Sequence, residues 1–315
     1  MELREDRKLQ IHQSFLLIAV VMIIFLAVQV VGMFFLMDNL YLYQAISEIL
    51  GLAIPVLAFL LITKRAKDNI HIRRVSIKNT LTISAIIALF IPVSMLLATF
   101  NMWITEHTIG LTAGLEDSIM IDNFPDYIKS ILVLALVPAV CEEIAFRTAF
   151  MSGLERLGKT SCFIFVSLFF SLAHMIPEKL FSTFALSILL CYFLYRTGSV
   201  ISSFIGHFVN NLIAITITYI ATILPSATSS GDVSEFYGIS EYGLSFIVWG
   251  ALTLVVLPLI IILIKKLRKN TEHTRLNISK QAKMDANAMS AFLPALAVYV
   301  ILLSIIVLTN LFTNV

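Results

Sequence analysis

Charge is what this sequence has least of. Only 13% of its 315 residues are Asp, Glu, Lys or Arg, about half the share usual in soluble domains, while 59% are hydrophobic and the mean hydropathy is +0.93. Those proportions exclude an ordinary soluble globule. Cysteine is scarce too: Cys141, Cys162 and Cys191 all lie inside apolar runs, without the close pairing of a zinc-thiolate site, and no structural disulfide is expected. The N-terminal stretch has no small-x-small cleavage site ahead of its long apolar run, so that run is expected to be an uncleaved first span. Heptad runs, low-complexity tracts and convincing internal repeats are missing as well. The last of these speaks against a transporter built from duplicated halves.

What the chain does have is a succession of apolar stretches, each approaching the roughly 20 residues that cross a bilayer as a helix. They fall near residues 13–37, 45–63, 80–103, 127–150, 160–176, 180–195, 199–223, 243–264 and 290–313. The expectation is one all-α membrane domain over 1–315, a polytopic transmembrane helical bundle of about nine spans. The net charge of +2 is uninformative, but the placement of the charges is not. Every Lys and Arg except Lys129 and Lys179 falls before the first span or in alternate connections: residues 64–78, 147–159, Arg196 and 265–283. Cytoplasmic loops carry that excess, so the N-terminus is expected inside and the C-terminus outside. The basic segments KRAKDNIHIRR and KKLRKN read as topology determinants, with attraction to anionic lipid as a second effect. Residues 104–126 and 224–242, rich in Gly, Ser, Thr and acidic side chains, read as solvated outward connectors. The partner this implies is the bilayer; nucleic acid is not expected.

Ionisable side chains at bilayer depth are costly, so function is the default inference for each. Here they are few: Glu142, Glu143 and Arg147 in span four, His174 in span five, and His207 with Asn210 and Asn211 in span seven. The other histidines, His12, His71, His107 and His273, lie in loops or at span ends, and Asp38 and Glu48 read as interfacial and solvated. Residues four apart share a helix face. Glu143 can therefore pair with Arg147, Phe170 shares a face with His174, and His207 shares one with Asn211. Glu142 diverges from Glu143 by about 100° and lacks an in-helix cation, which frees it to face a cavity. Pro138, four residues earlier, removes a helical hydrogen bond and should bend the span.

Glu142 and His174 are each 16 residues from Gly158, so two helices leaving that turn bring them level, about 24 Å along. His207 lies only 9 residues past Gly198 and joins them only if that turn sits deeper. A carboxylate, two imidazoles and an amide in a water-poor cavity suit hydrolysis. Glu142 can act as general base on a water, or hold a divalent metal with His174 and His207, for which zinc suits the donors. Asn211 can orient a ligand or stabilise an oxyanion. Cys141, beside these groups, shows no sign of being a nucleophile.

The three motifs EExxxR (Glu142–Arg147), FxxxH (Phe170–His174) and HxxxN (His207–Asn211) resemble the CPBP family, formerly Abi, of CAAX proteases and bacteriocin-processing enzymes. The resemblance covers roughly residues 127–215, spans four to seven. It implies an intramembrane metalloendopeptidase similar to type II CAAX prenyl endopeptidases, cutting a prenylated, membrane-associated or bacteriocin-type peptide. In that reading Glu142 activates the water, His174 assists or binds the metal, His207 and Asn211 complete the site, and Glu143, Arg147 and Phe170 support it. A multi-pass protein of a bacterial plasma membrane fits both the loop charges and the family. Two other classes remain open: a proton- or cation-coupled transporter using the same residues as a relay, and a silent scaffold or immunity protein.

Overall fold

The computed structural model describes residues 8–109, 121–224 and 240–313. Most of the expected outward connectors, and the basic residues Arg4 and Arg7, lie outside the described residues. Each expected span corresponds to a helix: α1 (Ile11–Phe35), α2 (Leu40–Ile62), α3 (Ile77–Ile109), α4 (residues 124–154), α5 (Lys159–Ala173), α6 (Leu180–Thr197), α7 (Val200–Ile223), α8 (Glu241–Asn270) and α9 (Ala286–Thr313). Among the described residues, seven of these are long and apolar enough to cross a membrane. The other two, α4 and α5, carry the EExxxR and FxxxH motifs. In lipid only internally hydrogen-bonded segments are stable, which is why apolar runs of this length become helices whatever their β-branched content.

Two helices are not regular. Residues 47–53 of α2 are wound as π-helix, as are 131–136 and 143–150 of α4. Pro138 follows the first π-segment of α4, at the start of the α-helical stretch Val137–Glu142; inside a continuous helix it removes one backbone hydrogen bond. Single π-turns recur at functional sites because they re-aim side chains. Here they flank Glu142 on one helix and include Glu48 on the other.

α5 is shorter than the sequence predicts. It stops at Ala173, so His174 is its C-cap and not an interior residue, and Met175 follows at φ 54. The chain then enters α6 through the single 3₁₀ turn Pro177–Lys179.

α4 packs against α1, α2 and α7, and α6 against α3, α5 and α7. Phe15 of α1 anchors one core, with Phe150, Phe165, Phe169 and Phe292 at centroid distances of 5.3 to 5.8 Å. A second core joins Ile83, Ile86, Ile87 and Phe90 of α3 to Leu186, Leu190 and Phe193 of α6 and Ile260 of α8. Gly206 lets α7 close on α6, since a Cβ there would stand 3.0 Å from Leu190 and Phe193. Many large apolar side chains, Leu254, Val255, Ile262 and Leu61 among them, face outward. Water would make such a surface an aggregation hazard; acyl chains are its natural solvent.

The basic connections meet at one end of the bundle. Lys8 pairs with Glu155 at 2.7 Å. The backbone N–H of Val200 donates to the His71 carbonyl and that of Leu276 to Tyr195, both at 2.8 Å, and Gln281 donates to the Arg156 carbonyl at 2.9 Å. Arg147 is an exception to the loop-charge reading: it lies inside α4, 1% exposed, and belongs to the site described next.

Candidate active site

Glu143 and Arg147 pair along α4 as their spacing predicts, with Arg147 Nη1 3.2 Å from Glu143 Oε1. The contact is electrostatic rather than a well-aligned hydrogen bond, because Nη1 has no hydrogen-bond partner. Arg147 is held further by Nη2 donating to Ser187 Oγ on α6 at 2.8 Å. Its guanidinium also lies 4.2 Å from the centroid of the Phe170 ring, a cation–π contact strengthened by the dry surroundings.

Phe170 turns out to be the centre of the site's packing. Fully buried, its ring touches Phe146 at 5.2 Å, His174 at 4.8 Å and His207 at 5.7 Å. One side chain thus spaces both imidazoles and the arginine, so the FxxxH motif has a packing rationale.

Each imidazole is fixed through Nδ1. His174 Nδ1 lies 2.8 Å from the Phe170 carbonyl, and His207 Nδ1 lies 3.0 Å from Glu143 Oε1. Both partners can only accept, so in each neutral ring the proton sits on Nδ1 and the lone pair on Nε2. For His207 that lone pair is turned towards Glu142, with Nε2 3.9 Å from Oε2. Glu142 Oε2 is buried without a hydrogen-bond partner, although the side chain as a whole keeps 12% exposure. Two facing acceptors 3.9 Å apart match the two hydrogens of one bridging water. Asn211 lies one turn beyond His207 on α7, half-buried, its Oδ1 accepting from Asn210 at 3.2 Å.

These contacts answer the question of depth. His207 reaches the α4 carboxylates because the turn at Gly198 is tucked into the bundle end. Residues 71–73 and 274–276 run over it: Ser199 Oγ donates to the Arg73 carbonyl at 2.7 Å. Gly198 has φ 64, and a Cβ there would lie 2.5 Å from the Thr274 carbonyl. The π-winding of 143–150 also puts more residues into each turn, drawing Glu142 nearer to that end than a straight α-helix would.

The donor types suit zinc, but their spacing does not close around one. Among the described residues no three His, Cys, Asp or Glu side chains stand close enough to hold a metal ion. The 3.9 Å between His207 Nε2 and Glu142 Oε2 also exceeds the roughly 3.3 Å that two ligands span on tetrahedral zinc. The chemistry below is therefore derived from the side chains alone.

Two features escaped sequence reasoning. Glu143 does more than neutralise Arg147, because it orients His207, and its partner lies 64 residues away on another helix. Glu48, by contrast with its expected solvated place, is 4% exposed and within electrostatic reach of Glu142. Its distance from Asp38, which is exposed as expected, was the signal available: Glu48 lies eight residues past the start of α2 at Leu40, about two turns into the membrane.

No curated protein and no solved structure matches the chain. Residues 124–213, however, match the family described as type II CAAX prenyl endopeptidase Rce1-like, and this segment spans α4 to the middle of α7, where all three motifs meet. This segment is thus similar to the CAAX protease family that its motifs resemble, a likeness that supports an intramembrane endopeptidase.

Proposed function

We propose that this protein hydrolyses a peptide bond of a lipidated or membrane-associated peptide with a water activated by Glu142. The observation that carries this reading is the pairing of Glu142 Oε2, buried and unpartnered, with the Nε2 lone pair of His207 across 3.9 Å. A water between them donates one hydrogen to each and turns a lone pair outward. Attack on the scissile carbonyl transfers one water proton to Glu142, and the same proton then goes to the leaving nitrogen as the carbon–nitrogen bond breaks. His174, with Nδ1 committed to Phe170, offers its Nε2 lone pair to an N–H of the substrate. The amide N–H of Asn211 is the donor available to the oxyanion. A prenylated CAAX-type peptide is the substrate class that the family description favours. The basic end of the bundle faces the cytoplasm in this reading, and a bacterial plasma membrane is the proposed location.

The test is cleavage of a quenched farnesylated CAAX peptide by purified protein in proteoliposomes, with bound metal measured in the same samples. Wild type is expected to cleave, and Glu142→Gln to lose at least about 100-fold in kcat, the lower range for a general base. Stoichiometric zinc that disappears in His174→Ala together with activity would replace the side-chain-only mechanism with a metal-bound one. Unchanged activity in Glu142→Gln would overturn the role of Glu142.

A further inference from the structure

The connection between α5 and α6 holds a residue in a conformation its type disfavours. Met175 sits at φ 54, in the left-handed region that helix ends usually give to Gly or Asn, because a Cβ crowds the following carbonyl there. It directly follows His174, the C-cap of α5. Such conformations persist only where the surroundings over-determine them, and they cluster at active sites. α5 has 15 residues and covers only about 22 Å of a hydrocarbon layer roughly 30 Å thick. The non-helical stretch 174–179 therefore depends on protein rather than water for its hydrogen bonds.

It is held from several sides. Ser171 Oγ of α5 donates to the Leu180 carbonyl at the start of α6 at 2.5 Å. The Met175 side chain packs on the core that contains Phe170. From α3, Asn101, only 3% exposed, donates through Nδ2 to the Pro177 carbonyl. Its neighbour Phe100 stacks on Phe181 with centroids 5.9 Å apart, so α3 grips the entry to α6 through an amide and a ring. A buried amide on a membrane helix is costly unless it is hydrogen-bonded, and this one is bonded to backbone two residues beyond Met175. With the Pro177 carbonyl released, Met175 can relax to an ordinary negative φ, and the imidazole one residue before it changes direction.

We infer that Asn101 is a positioning residue for His174: by anchoring the Pro177 carbonyl it keeps Met175 in the left-handed turn that sets the direction of the imidazole. The inference rests on the proposed part of His174 in the reaction. It brings α3, outside the matched segment 124–213, into the support of the active site.

The experiment measures kcat/KM for the farnesylated peptide, with enzyme in excess so that slow cleavage stays measurable, and unfolding temperature as the check on folding. Asn101→Leu removes the donor and is expected to lower kcat/KM by about 10- to 100-fold, the range for lost supporting contacts. In a Met175→Gly background the same change should cost about fivefold less, because Gly enters the left-handed region without the Cβ penalty and needs less anchoring. In a His174→Ala background it should cost less than about threefold, since nothing remains to be positioned. If Asn101→Leu does not fold, Asn101→Ala removes the donor without adding an apolar branch. Wild-type kcat/KM in Asn101→Leu, or an undiminished loss in either background, would overturn the proposal. A fully active His174→Ala would instead overturn the reading on which it rests.

Discussion

Glu143 shows how one side chain can serve stability and chemistry together. It neutralises Arg147 and fixes the His207 tautomer through a single oxygen, Oε1. Glu143→Gln is expected to lower kcat by about 10- to 100-fold with little change in KM, because the amide no longer compels Nδ1 to carry the proton. Steady-state kinetics on the quenched peptide checks this. Arg147→Met leaves the Glu143 charge buried without its arginine counter-charge and should cost about 3 to 5 kcal/mol. The double variant Glu143→Gln/Arg147→Met should recover most of that loss, since no bare charge remains. Unfolding in detergent measures both; equal losses in single and double variants would show that packing on Phe170, not charge, dominates.

At the scale of the helix, most of what matters was legible in one dimension. The nine apolar stretches correspond to α1–α9 within a few residues at most ends, because a chain in lipid must close its own backbone hydrogen bonds and length alone then marks a helix. The Glu143–Arg147 pair and the Phe170–His174 contact follow from four-residue spacing. The π-turns and the early end of α5 were not legible. They depend on which side chain a neighbouring helix needs, not on local preference. The turn between α6 and α7 is the element whose position decides whether His207 reaches the site. Gly198→Ala, at φ 64 and 2.5 Å from the Thr274 carbonyl, is expected to destabilise by more than about 1 kcal/mol. It should also lower activity by displacing His207, read as a fall in both unfolding temperature and kcat.

For the whole molecule, the basic end is a clasp. Glu155, in the turn after α4, pairs with Lys8 ahead of α1 at 2.7 Å and with His71 at 3.4 Å. Burial by itself would raise its pKa, but the nearby His71 imidazole, 3.4 Å away, and the ammonium of Lys8 outweigh that and hold the carboxyl below the usual range. The clasp's contribution is complete above the unfolded carboxyl's value of about 4.3 and is lost as pH falls further, through the lowered folded value. Wild type should therefore lose unfolding temperature as pH falls below about 4.3 more steeply than Glu155→Gln, which starts less stable and has no carboxyl to protonate there. Parallel curves would remove Glu155 from the account.

The sequence by itself determined that the chain is a membrane-embedded helical bundle, and which helices bear polar groups. Apolar length, alternating loop charge and four-residue spacing are local properties that lipid and helix geometry translate directly. Tertiary structure alone decided that His207 meets Glu143 and lies 3.9 Å from Glu142, that Phe170 spaces both histidines, and that Glu48 is buried instead of solvated at a helix end. These contacts join helices far apart in the chain. Their register is set by how bulky and small residues interlock, and no periodicity along a single helix encodes it.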